Sequence, residues 1–182
     1  MSPSKYLRKM RGSFGGNPPR VSGSEVVWSW IGGFLGIAAV AWMSRWFFEG
    51  ADLTLMIGSL GSSAVLTYGA VRSPLAQPRN LVGGHIVSAI IGVACYKLLS
   101  DFPWLAEASA VSTAIAMMHV TRTLHPPGGA TALIAVIGSE TIHNMGWLYV
   151  LMPATLGPLI LLVVALLVNN IPKTRRYPEI WF

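Results

Sequence analysis

Apolar positions in this chain come in long blocks, not in the period-two alternation of a half-buried strand. Six apolar runs stand out, at about 26–43, 53–70, 81–99, 103–120, 128–138 and 147–168. A helix needs roughly 20 residues to cross the hydrocarbon core of a bilayer. By that measure the first, third, fourth and sixth runs are full spans. The second is interrupted by Gly58 and Gly61, and the fifth is too short to cross alone as a regular helix. The pattern predicts an all-α, polytopic membrane protein with four or five full helices plus short or broken segments. The first run is long and threaded with Trp, Gly and Phe, unlike a cleaved secretory signal.

Residues 1–24 stand apart from this transmembrane region, 25–182, which closes on a short polar tail. They are basic (Lys5, Arg8, Lys9, Arg11, Arg20), with Tyr6, Leu7, Met10 and Phe14 near helical spacing. That fits a helix lying on the membrane surface, with a disordered basic tail as the alternative. Gly15, Gly16, Pro18 and Pro19 end any such helix.

Composition agrees with the pattern. The chain is 53% hydrophobic and 11% charged, with a mean hydropathy of +0.56, whereas soluble domains carry about 25% charged residues. The single cysteine, Cys95, lies in an apolar run, which excludes a disulfide within the chain and leaves a packed thiol. The net charge of +6 is read as topology, not as nucleic-acid binding. If the N-terminus is inside and all six runs cross, eleven of the thirteen Lys and Arg residues fall inside, leaving only Arg45 and Lys97 outside. Five of the seven acids, Glu49, Asp52, Asp101, Glu107 and Glu140, fall outside. This asymmetry predicts that both termini are cytoplasmic.

Two of the runs are small-residue-rich and carry the candidate chemistry. "GSSAVLTYG" from Gly61 aligns with "GATALIAVI" from Gly129, so that Ser63 meets Thr131. Each is the middle run of a set of three, which suggests a 3+3 inverted repeat. Interrupted segments at corresponding positions of two halves point to a transporter's binding site; chance alignment of small packing residues is the competing explanation. Gly58 and Gly61 with Ser62 and Ser63 resemble a helix start. So do Gly128, Gly129 and Thr131 behind His125-Pro126-Pro127, because prolines forbid a regular helix through them. Helix N-termini carry unpaired N–H groups and attract anions. Two of them facing each other would hold a small anion between backbone N–H groups, the hydroxyls of Ser62, Ser63 and Thr131, and His125. Arg79, His85 and Arg122 are candidates for an inner vestibule. His119 falls late in the fourth run, and His143 in an outer, solvated loop. No spacing among these histidines suits a metal, and no cofactor motif or catalytic constellation supports an enzyme.

At "HPPGGATALIAVIG" the sequence resembles the HPP family of integral membrane proteins. The resemblance extends to "GSLGSSAVLTYG" from Gly58, "SPLAQPRNLVGGH" from Ser73 and "NNIPKTRRYPEIW" from Asn169. It implies a compact multi-helix membrane protein and, from plant and cyanobacterial members, nitrite transport. Some relatives carry a soluble CBS domain after the membrane part; none is expected here, nor a chloroplast transit segment, so the bacterial inner (plasma) membrane is the expected location. The expectation is therefore a transporter or channel for a small inorganic anion, nitrite first, with the lipid bilayer as its surroundings and a homo-oligomer left open. A pore for a small neutral solute and a non-transporting scaffold or sensor subunit are the rivals.

Overall fold

The computed structural model describes Met10 and residues 20–182, so the reading of 1–24 as an interfacial segment lies mostly outside the described residues. The described part is all-helical. It comprises α1 (Gly23–Ser44), α2 (Gly50–Ala64), α3 (Pro78–Leu99), α4 (Pro103–Val120), α5 (Pro126–Ile137), the short α6 (Glu140–Met145) and α7 (Leu148–Leu151), and α8 (Leu156–Val168). Proline opens α3, α4 and α5, where its missing N–H costs nothing and its fixed φ suits a helix start. Ser22 caps α1 by accepting from the Glu25 N–H.

Three stretches are long and apolar enough to cross a membrane: Gly23–Ser44, Pro78–Leu99 and Leu148–Val168, with Pro126–Ile137 as a shorter apolar helix. Three sequence expectations change. The α4 helix reaches 18 residues, but Glu107, Ser109, Ser112, Thr113 and His119 dilute it below the apolarity of a free-standing span. The run at 53–70 is not broken at Gly58 and Gly61. It forms an unbroken α-helix to Ala64, and its irregularity comes later, as a π-helical turn over Val65–Gly69. The last run is broken instead, between α7 and α8, around Pro153.

The tightest packing joins α3 to α5. Gly84, Ser88 and Gly92 repeat every fourth residue and form the small-residue stripe that lets membrane helices approach closely. A Cβ on Gly84 would lie 2.8 Å from the Thr123 carbonyl oxygen, and one on Gly92 would lie 2.9 Å from Ala132 Cα. On the other side of α5, Ala106, Ala110 and Ala114 of α4 are fully buried against Ala132 and Val136. Large apolar side chains such as Trp30, Phe34, Trp42, Leu98, Val163 and Leu167 are exposed around the outside, the inverse of a soluble domain.

Hydrogen bonds gather the segment ends into two sets. At one end, Arg175 of the tail binds Glu25 at the start of α1, Arg72 binds the Thr174 carbonyl, and Gln77 accepts from the Glu179 N–H. Tyr177 donates to the Ala76 carbonyl, and burial pushes its phenol above the usual tyrosine range, so it remains a donor. Arg79 and Asn80 at the start of α3 bind the carbonyls of Thr121 and Leu124 at 2.8 Å each. At the other end, the Asp52 carboxylate accepts from Ser139 N–H at 3.0 Å and from the Ser139 hydroxyl. There, the His143 ring stacks on Tyr96 at 3.8 Å, so His143 is packed rather than solvated. Successive long helices therefore run antiparallel.

Candidate functional site

Inside this apolar bundle five polar side chains meet: Ser59 and Ser63 of α2, His85 of α3, Thr131 of α5, and His125 immediately before α5. None is more than 2% exposed. Ser59 and Ser63 are four residues apart, so an unbroken α2 presents both on one face. The chain from Thr123 to His125 is non-helical, extended at His125, and lies against Gly83 and Gly84, which carries the His125 ring into the interior before α5 begins.

The Ser63 hydroxyl bridges the two histidines, 2.8 Å from His85 Nε2 and 2.9 Å from His125 Nε2. The ring centroids are 5.2 Å apart. On its other side, His85 Nδ1 is 2.6 Å from the Thr131 hydroxyl, which is 3.1 Å from Ser59 Oγ. Ser59 also reaches the Pro127 carbonyl at 3.2 Å. His125 Nδ1 lies 2.8 Å from the Leu75 carbonyl, in the 3-10 turn Pro74–Ala76. Tyr149 of α7 donates to the Thr131 carbonyl at 2.8 Å.

These contacts fix the hydrogen positions. A carbonyl only accepts, so His125 Nδ1 carries a hydrogen and donates to Leu75. In a neutral ring His125 Nε2 then accepts, and Ser63 must donate to it. Ser63 in turn accepts from His85 Nε2–H, leaving His85 Nδ1 to accept from Thr131. The neutral cluster is a closed chain in which every hydrogen has a partner, as a polar group buried in an apolar interior requires.

The sequence candidates separate accordingly. Ser63, His125 and Thr131 meet in the cluster. His85, assigned above to a vestibule, stands at its centre. Gly58 and Ser62 are exposed on the adjoining face of α2, turned out of the cluster, where Ser62 bonds back to the Gly58 carbonyl at 3.1 Å. No helix begins there, so the pair of facing N-termini is absent. Gly61 lines an outer groove with Ser29, Trp30 and Tyr68. Gly128 packs on Ser88 and Met118. Gly129 lines an open apolar groove of about 610 Å³ with Val111, Ile115 and His119. The start of α5 also differs from an anion-binding terminus: Pro126 and Pro127 have no N–H, and the Gly128 N–H is bonded to the His125 carbonyl at 2.8 Å. Arg79 is held by the Thr121 carbonyl and Arg122 is exposed. The polar hollow at that end, about 420 Å³, is lined by Glu25, Arg72, Ser73, Thr174 and Arg175 instead.

Ser59, Tyr149 and the Leu75 carbonyl were missed by sequence reasoning. Ser59 had a signal: it precedes Ser63 by one helical turn, visible once the helix is not cut at Gly61. The aligned pair Ser63 and Thr131 does meet at one place, each bonding a different nitrogen of His85. Gly61–Ala64 and Gly129–Ala132 also share one order of burial: half-buried, exposed, buried, buried.

Comparison with known proteins bears on the same stretches. No solved structure matches the chain. A transmembrane protein of Dictyostelium discoideum is 42% identical over 181 residues, covering 98% of this chain and 58% of its own length. A second transmembrane protein of that organism is 42% identical over 169 residues, covering 91% of this chain and 59% of its own. The chain thus spans somewhat under three fifths of these relatives. The profile described as HPP, transmembrane region, matches residues 18–178. That match takes in α2, α3 and α5 together with the clasping tail, and the chain belongs to the HPP transmembrane family.

Proposed function

We propose that the protein moves a small inorganic anion across the cell membrane, with the histidine–hydroxyl cluster as the place the substrate must pass. The observation that carries this reading is the burial of two imidazoles and three hydroxyls inside an apolar bundle. Polar groups at membrane depth are expensive to keep, and they mark substrate or ion pathways. Imidazole N–H and hydroxyl groups offer an anion several donors without a fixed positive charge, which suits binding that must also reverse. Nitrite is the substrate proposed from the family resemblance; nitrate, formate and chloride fit the same donors.

The topology proposed with it is six crossings with both termini cytoplasmic. Support comes from the antiparallel order of the helices and from the charges at their ends: Arg72, Arg79, Arg122, Lys173, Arg175 and Arg176 belong to the end that carries the tail. The meeting of Ser63 and Thr131 on one histidine supports an inverted repeat.

The test is uptake of nitrite, nitrate, formate and chloride by purified protein in liposomes, with protein-free liposomes as the background. Nitrite uptake above background that falls in a folded His125→Ala variant is the expected result. Uptake of a neutral solute such as urea, with none of any anion, would replace the reading by a neutral pore. No flux of any solute would favour a scaffold or sensor role.

A further inference from the structure

We propose that the His85–Ser63–His125 bridge is a proton relay and that the anion is carried together with a proton. This rests on the transport reading above and deepens it.

The geometry supports a second proton state without moving a heavy atom. A proton added at His85 Nδ1 displaces the Thr131 hydrogen from that bond. Thr131 then turns to donate to Ser59 Oγ, 3.1 Å away, and Ser59 donates to the Pro127 carbonyl at 3.2 Å. Every hydrogen again has a partner. The charge can move on through the bridge: His85 Nε2 gives its hydrogen to Ser63 Oγ as Ser63 passes its own to His125 Nε2. His85 is left neutral with its hydrogen on Nδ1, and His125 becomes the imidazolium. One N–H bond and one O–H bond break, and one of each forms. The two rings, 5.2 Å apart, share one added proton, because a second would face a like charge at that distance.

Groups on the neighbouring elements leave this charge uncompensated. From α7, Tyr149 donates to the Thr131 carbonyl and presents no negative charge. On α3, Arg79 is engaged by the Thr121 carbonyl, and Ser88 faces Met118 of α4. On α2, the carboxylate of Asp52 is bound to Ser139, two turns from Ser59, with Met56 between them. A protonated pair therefore lacks a counter-charge until an anion enters, which is the physical basis for coupling the two. The Leu75 carbonyl accepts a hydrogen bond but cannot take the proton, so release from His125 Nδ1 requires water to replace Leu75, and hence movement of the Pro74–Ala76 turn.

The experiment uses full-length protein in liposomes with nitrite as probe and a trapped pH dye, corrected for protein-free liposomes. An imposed nitrite gradient should drive proton entry in fixed ratio, and a pH gradient should drive uphill nitrite accumulation. Folded Ser63→Ala should lose the pH-driven accumulation while Ser63→Thr, which keeps the hydroxyl, retains it. If Ser63→Ala does not fold, His85→Gln serves in its place with the same expectation. Wild-type nitrite flux without protons would overturn the relay and leave the transport reading standing. So would an unchanged proton-to-nitrite ratio in the folded variant. Absence of flux for nitrite, nitrate, formate and chloride alike would overturn both.

Discussion

Arg175→Ala should unfasten the tail from the bundle. The guanidinium side chain is 3% exposed and donates to the Glu25 carboxylate at 2.8 Å, the Glu25 carbonyl at 2.9 Å and Ser29 Oγ at 2.8 Å. It also donates to the Tyr68 carbonyl at 3.3 Å and Asn169 Oδ1 at 3.2 Å. Removing one member of a buried ion pair costs about 3–5 kcal/mol, because the other charge is left unmatched. Two features place this case at the low end. The Glu25 side chain is 30% exposed, so water recovers part of its solvation. Glu25 also sits in the first turn of α1, where the helix dipole favours an anion. About 3 kcal/mol follows. For a chain of this length each kcal/mol lowers Tm by about 2–4 °C, so the expected drop is about 6–12 °C. Thermal unfolding in detergent, followed by tryptophan fluorescence, measures it. Glu25→Gln keeps the acceptor oxygen and should cost less, and the double variant should cost less than the sum. A drop under about 2 °C for Arg175→Ala would refute the view that this residue holds the tail.

Gly84→Ala should cost about 1–3 kcal/mol, since its methyl meets the Thr123 carbonyl and the His125 Cβ, and uptake should fall with it. Gly58→Ala, with nothing within 4 Å of a Cβ there, should stabilise by about 0.5–1 kcal/mol with uptake unchanged; loss of uptake would restore Gly58 to the site. Tyr149→Phe leaves the Thr131 carbonyl with its helical partner only and should cost about 1 kcal/mol. A melting shift worth more than about 3 kcal/mol would show that the phenol does more than close that bond.

The helices and their approximate ends were legible because apolar runs and opening prolines are local signals. The segment around His125 was legible too: two prolines and an extended approach had to place an irregular chain beside other helices. What misled was Gly58-Ser59-Leu60-Gly61. Glycines in a membrane helix serve either a turn or close packing, and these two are merely outward-facing positions in a continuous helix. Reading them as a break hid Ser59 and made Ser62 look functional. The role of His85 was out of reach, because its partners lie 22 and 46 residues away in sequence. Arg175 was read as a topological charge; nothing local distinguishes it from Arg176 beside it, and only its burial against α1 does.

The π turn at Val65–Gly69 has a consequence for how the gene can vary. A π turn holds one residue more than an α turn. Upstream of it, α2 turns Ser59 and Ser63 toward the histidines. Within the turn itself, Tyr68 donates to the Leu161 carbonyl at 2.9 Å and the Thr67 carbonyl accepts from Asn169 at 3.0 Å. Deleting a single codon here would restore α-helical register and rotate everything after it by about 100°. The serines and the tail could then no longer both find their partners. This turn is therefore fixed in length by what it joins.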